Sequence, residues 1–129
     1  MKLLLDTHVL LWWQQDDARL RPAIRAIIAD NQHTVFVSIA SFWEIAVKVR
    51  LGKLVTSSPL VWQNAIDEGF EVLPILKQHL AAFQDVPKVL GHGDPFDILL
   101  VAQAITEGAA LITADRAMPQ YGVRCIGVR

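Results

Sequence analysis

Five short apolar runs, with helical spacing in the stretches between the first four of them, constrain this chain more than any other feature. The runs are Lys2–Leu5, Thr34–Val37, Phe70–Leu73, Ala109–Thr113 and Val123–Val128. A short apolar run bounded by turn residues reads as a buried strand. The second run is typical, with β-branched Val35 and Val37 flanking Phe36. Helices alternating with such strands form βαβ units around a parallel sheet covered on both faces. The pattern therefore predicts a three-layer α/β/α sandwich with a central parallel sheet. At 129 residues, with short connections and no internal repeat or linker, the chain suits a single domain spanning 1–129.

The helical stretches are read from apolar spacing and from their ends. Thr7–Gln15 carries Leu10, Leu11, Trp12 and Trp13, and Arg19–Asp30 carries Leu20, Ala23, Ile24, Ile27 and Ile28. Ser38 or Ser41 can cap a third helix, which runs through Phe42, Ile45 and Val49 to about Leu51 and stops at Gly52. Ser57-Ser58-Pro59 opens a fourth, about Leu60–Glu68, closed by Gly69. Lys77–Phe83 is a short helix, and 85–93 is a loop with Pro87, Gly91 and Gly93. The last helix, about Pro95–Glu107, ends at Gly108.

Composition narrows the class. Hydrophobic residues make up 53% of the chain and charged residues 19%, which suits a well-buried globular protein. No apolar run reaches the ~18 residues that span a bilayer. The opening MKLLLDTHVLLWW has the look of a signal peptide, but Asp6 interrupts it and no small-residue cleavage site follows. The single cysteine, Cys125, cannot form an internal disulfide, and a reducing cytoplasm is the expected compartment. The net charge of −1 does not advertise nucleic-acid binding by the chain as a whole. Lys48, Arg50 and Lys53 nevertheless cluster near one helix end. They complement the helix dipole there, or they balance an anionic substrate if the site beside them is acidic.

The stretch His92–Ala104, HGDPFDILLVAQA, starts its helix with two acids. Asp94 suits the N-cap, Pro95 the first helical position and Asp97 the first turn. In open parallel sheets, ligands lie beyond the carboxyl ends of the strands, where the following helices begin. Asp6 follows the first strand and Asp115 the fourth. Glu44 lies among apolar and small residues in SFWEIAVK, and a buried carboxylate is costly unless paired or bound to metal. Each acid also has an ordinary structural reading. Asp6, Asp94 and Asp115 can cap helices, Asp97 can complement a dipole, and Glu44 can pair with Lys48 four positions on. Their convergence on one sheet edge favours a site. So many like charges repel unless a cation sits among them. Oxygen donors suit Mg²⁺ or Mn²⁺, and the scattered histidines lack the spacing of a zinc site. Such a cation polarises a phosphate and activates a water, which suits phosphodiester hydrolysis. The chain has no G-x-S-x-G elbow, P-loop or G-x-G-x-x-G motif.

Four segments, LLLDTHVLLWW, SIASFWEIAVKVRLGKL, HGDPFDILLVAQA and LITAD, together resemble a PIN domain, and most closely the VapC-type toxins of bacterial toxin–antitoxin pairs. The resemblance covers nearly the whole chain, in order. It implies a compact α/β/α fold and a Mg²⁺- or Mn²⁺-dependent ribonuclease. It also implies a homodimer and an antitoxin partner that inserts a segment near the acidic cleft. The acids it marks are Asp6, with Thr7 beside it, then Glu44, then Asp94 or Asp97, and finally Asp115, with Thr113 at the usual Ser/Thr position. Asp6, Asp94 or Asp97, and Asp115 would hold metal, and Glu44 would orient the attacking water or act as its base. Thr7, Thr113, Lys48, Arg50 and Lys53 are the candidate substrate-side residues, and RNA is the expected substrate.

Adjacent Trp12 and Trp13 cannot both enter one core from a single helix, so either one faces a partner or both pack at the core edge. Trp43 reads as core or cleft wall, and His8 and His92 as hydrogen-bonding or loop residues. Two rival classes remain at this level. A signalling receiver domain is also an α/β/α sandwich with carboxylates and Mg²⁺ at strand ends. It needs paired acids after strand one and a phospho-acceptor aspartate after its middle strand, whereas here Asp6 stands alone and the third strand ends in Leu73-Pro74. The other rival is a non-catalytic RNA-binding module.

Overall fold

A computed structural model describes residues 1–128. Five parallel strands form one sheet in the order β3-β2-β1-β4-β5. They are β1 (Lys2–Leu5), β2 (Thr34–Ser38), β3 (Glu71–Leu73), β4 (Ala110–Thr113) and β5 (Cys125–Gly127). The helices are α1 (Thr7–Gln14), α2 (Pro22–Ala29), α3 (Ile39–Arg50), α4 (Ser58–Asp67), α5 (Lys77–Asp85) and α6 (Pro95–Glu107). A 3₁₀ turn, Met118–Tyr121, precedes β5. Among the described residues, no helix is long and apolar enough to cross a membrane.

β1 is the central strand, paired with β2 on one side and β4 on the other. The chain winds outward from β1 through β2 to β3, then returns to add β4 and β5 on the opposite flank. The order reverses between β1 and β4, and the crevice beyond their carboxyl ends is where such sheets bind ligands. A receiver-type sheet has the order 2-1-3-4-5 and puts its third strand beside the first. Here β3 is an edge strand, so that rival architecture does not apply.

Side chains of a strand alternate between faces, and each face of the sheet builds its own core. Leu3 and Leu5 of β1, with Val35, Val37, Ala110 and Ile112, pack against α1, α2, α4 and the Phe42 and Ile45 side chains of α3. Leu4 and Leu111 pack on the other face against Leu100, Val101 and Ala104 of α6, with Met118 and Tyr121 of the 3₁₀ turn. This two-sided burial explains why the strands lack polar alternation.

The departures from expectation lie at element ends. The second helix begins at Pro22, not Arg19, because the residue before proline is held extended; Arg21 has ψ 153°. Ser38, not Ser41, caps α3, accepting from the Ala40 N–H at 3.0 Å. α5 runs on to Asp85, and the last strand is only Cys125–Gly127. Both tryptophans of the adjacent pair pack within the chain. Trp12 is buried, and Trp13 is half-buried, meets Phe70 at 5.6 Å and donates to Glu68. Trp43 is neither core nor cleft wall. It is 58% exposed and meets Phe96 edge-on at 4.9 Å, because its position on α3 faces away from both cores.

Leu100 is fully buried between α6 and the sheet. Leu100→Ala is expected to lower stability by about 2–5 kcal/mol, read from the urea midpoint at unchanged slope.

Candidate active site

A cleft of about 560 Å³ opens at the carboxyl edge of the sheet, lined by Asp6, Glu44, Asp94, Asp97 and Asp115 together with His8, Trp12, Arg19, Lys48, Ala114 and Arg116. All five acids singled out in the sequence therefore meet in one place. They arrive there from different elements. Asp6 ends β1 and is the N-cap of α1. Glu44 lies on α3, Asp94 is the N-cap of α6 with Asp97 in its first turn, and Asp115 follows β4.

The two most buried acids are held by threonines. Asp6 is 5% exposed. Its Oδ1 accepts from the Thr7 N–H at 2.7 Å and its Oδ2 from the Thr113 hydroxyl at 2.7 Å. The Thr113 oxygen in turn accepts from the Asp115 N–H at 3.0 Å, which leaves its single proton for Asp6. Glu44 is 6% exposed. Its Oε1 accepts from the Thr7 hydroxyl at 2.7 Å, and its Oε2 pairs with Lys48 at 3.0 Å. Ser41 Oγ lies 3.0 Å from the same Thr7 oxygen, whose free lone pair can take its hydrogen. The Glu44–Lys48 helix pair and the cleft position thus coexist, and the ordinary reading of Glu44 does not displace the other.

The remaining acids are more open. Asp94 is exposed, and its Oδ1 accepts from the Phe96 N–H at 2.8 Å, so it does cap α6. Asp97 is half-buried and lies 3.5 Å from His92 Nε2. Asp115 Oδ1 accepts from the Ala117 N–H at 2.9 Å, and its Oδ2 lies 2.9 Å from the same His92 Nε2. One atom each of His92, Asp97 and Asp115 falls within 4.8 Å of the other two, close enough to share a cation.

The electrostatics of this cluster are strained. Burial raises the Asp6 carboxyl above its usual range, although the Thr113 and Thr7 hydrogen bonds favour its ionised form. Asp97 is pushed up to about 7, first by desolvation and then by the charges of Asp6, Asp94 and Glu44, with His92 opposing. A set of oxygen donors with this much mutual repulsion fits a hard divalent cation.

The cations around the cleft differ from those expected. Lys48 lines it, whereas Arg50 and Lys53 are exposed at and beyond the end of α3 and do not. Arg19 and Arg116 line it instead. Arg116 follows Asp115 directly, a signal present in the sequence. Arg19 comes from the loop after α1, held by Asp17 at 2.7 Å and over the Trp12 ring at 4.9 Å, and only the folded loop brings it in. His92, read from the sequence as a hydrogen-bonding or loop residue, does hydrogen-bond, and its contact with Asp115 spans 23 positions.

The PIN domain family model matches residues 3–123. Among curated proteins, the chain is 29% identical over 120 residues to Ribonuclease VapC22 of Mycobacterium tuberculosis, covering 92% of this chain and 91% of that protein. Among solved structures it is similar to VapBC2 from Rickettsia felis bound to a promoter DNA fragment, with TM-score 0.75, 16% identity and 98% of each chain covered. It is also similar to DNA-bound VapBC from Salmonella typhimurium, with TM-score 0.71, 16% identity, and 100% of this chain and 99% of that one covered. These two likenesses establish a shared fold.

Unfolded, Asp97 ionises near 4, and folded near 7. Between those values the folded chain keeps a proton that the unfolded chain has released, so stability falls as pH rises from about 4 to about 7. The raised Asp6 adds in the same direction. Asp97→Asn is expected to flatten this decline and to raise the melting temperature of the metal-free protein at pH 8, followed by circular dichroism across pH 4–8.

Proposed function

Because the chain belongs to the PIN domain family, we propose that it is a Mg²⁺- or Mn²⁺-dependent endoribonuclease acting as the toxin of a toxin–antitoxin pair. The observation that carries this reading is the meeting of Asp6, Glu44, Asp94, Asp97 and Asp115 in one cleft at the switch point of the sheet. The ribonuclease named among its relatives, and the VapBC structures that share its fold, support the same reading. An antitoxin partner, a homodimer and a cytoplasmic setting belong to it as well.

Asp6, Asp97 and Asp115 would hold the cation, with Asp94 contributing through the oxygen its cap leaves over. Bound there, a divalent ion supplies a Lewis acid for the phosphate and lowers the pKa of a water. The chain's own residues do the rest. The Thr7 and Thr113 hydroxyls fix Glu44 and Asp6 by hydrogen bonds of 2.7 Å each, so neither carboxylate has to reorganise during reaction. Glu44, steadied by Lys48, orients the attacking water or takes its proton. Arg19, Lys48 and Arg116 line the cleft with the acids and suit the phosphates on either side of the scissile one. Arginine is fitted to that task by its planar fork of donors.

Asp6→Asn should abolish metal-dependent RNA cleavage while leaving the fold intact, read from its circular dichroism spectrum. Mapping new 5′ ends in cellular RNA against that variant would identify the target, and full activity in the variant would sink the proposal. Joint replacement of Arg19 and Arg116 by Ala should weaken binding to single-stranded RNA. The slope of log K against log salt should fall by about 0.7 for each phosphate that the variant no longer neutralises. An unchanged slope would remove both arginines from the substrate path.

A further inference from the structure

We propose that His92 is a positioning residue: held by the buried Tyr121 hydroxyl, its imidazole donates to Asp115 and fixes that carboxylate for the cation without ligating the cation itself. The inference deepens the metal-dependent nuclease reading and rests on it.

The argument is one of proton placement. His92 Nε2 lies 2.9 Å from Asp115 Oδ2 and 3.5 Å from Asp97 Oδ2. A carboxylate only accepts, so Nε2 carries a hydrogen and donates to Asp115. His92 Nδ1 is hydrogen-bonded to the Tyr121 hydroxyl. That phenol is a neutral donor, since desolvation and then the nearby Asp97, Asp115 and Asp94 raise it above its usual value. Its hydrogen can go to His92 Nδ1 or to the His92 carbonyl oxygen at 3.3 Å. Both acceptors belong to His92, so Tyr121 anchors this residue. With the Tyr121 hydrogen donated to Nδ1, the nitrogen that carries the ring's hydrogen is Nε2, which faces Asp115. A nitrogen that carries a hydrogen offers no lone pair to a metal, although its distance to Asp97 and Asp115 would suit one.

The anchor itself is rigid. Tyr121 is 2% exposed, packed in the α6-side core as part of the 3₁₀ turn, and its ring meets the imidazole edge-on at 5.3 Å. Asp115 Oδ1 is fixed from the other side by the Ala117 N–H. The carboxylate is thus oriented by two donors of fixed direction, one from the backbone after β4 and one from the imidazole. Partners behind a metal ligand that orient it in this way typically contribute about 10–100-fold in affinity or activity.

The test is Mn²⁺ titration followed by electron paramagnetic resonance on the full chain, with three-pulse echo modulation on the bound ion. The parent should bind Mn²⁺ and show no nitrogen coupling from a directly ligated imidazole. His92→Ala should weaken Mn²⁺ binding by about 10–100-fold, and Tyr121→Phe should weaken it in the same direction by a smaller factor. His92→Gln, which restores an N–H donor near the Nε2 position, should recover part of that affinity. Melting temperatures of the three variants are recorded alongside, and affinity is compared at temperatures where each is folded. Directly bound nitrogen that is present in the parent and lost in His92→Ala would make His92 a ligand and overturn the proposal, as would parent-like Mn²⁺ affinity in His92→Ala. A parent that bound no Mn²⁺ and cut no RNA would instead overturn the nuclease reading beneath it.

Discussion

A carboxylate at the end of the central strand is almost fully buried, and the site is arranged around satisfying it. Asp6 obtains its hydrogen bonds from Thr7 and Thr113, its neighbours along the chain and across the sheet. Each threonine has a second task. Thr7 reaches Glu44 with its hydroxyl, and Thr113 receives the Asp115 N–H. Two threonines, through both hydroxyls and the Thr7 N–H, therefore tie Asp6, Glu44 and Asp115 into one hydrogen-bonded unit. A valine in place of either threonine would keep the volume but leave a buried carboxylate short of a donor, which is costly wherever water is excluded.

The architecture was readable because its signals are local. Apolar runs of strand length, Gly52, Gly69 and Gly108 after helices, and Pro95 just inside one are each decided by neighbouring residues. Gly108 sits at φ 64° as the αL residue that ends α6, the conformation in which glycine costs least. Asp6, Asp94, Asp97 and Asp115 were readable because strand ends and helix starts share one edge of a parallel sheet, and Glu44 because it is a lone carboxylate among apolar and small residues. The parts that escaped depend on contacts across the fold. Nothing near Arg19 in the chain says that its loop folds back over Trp12 toward the cleft. Nothing near His92 says that a tyrosine 29 positions on will hold its ring. Trp43 escaped for a related reason: helical spacing fixes which residues share a face, but which face meets the sheet is settled by packing.

The cleft is also a place where stability is given up. Asp6 and Glu44 are buried near one another, and Asp97 resists ionisation partly because of them. The two cores on either side of the sheet, both dense in leucine, isoleucine and valine, offset that cost. Lys48 pairs with Glu44 and Arg19 with Asp17, yet Asp97 remains raised. Local destabilisation of this kind is characteristic of sites arranged for a ligand rather than for the fold.

The strand order has a consequence for the timing of synthesis. β1 is made first, yet one of its two sheet neighbours, β4, is made near the end, and the Thr113–Asp6 hydrogen bond joins residues 107 positions apart. Until β4 has emerged from the ribosome, the central strand has a bare edge and the cleft lacks Thr113, Asp115 and Arg116. A nascent or truncated chain ending before that point carries Asp6, Glu44, Asp94 and Asp97 but lacks Asp115 and the Thr113 that holds Asp6. Pairing of β1 with β4, slowed by the length of chain between them, is therefore the step that completes the cleft.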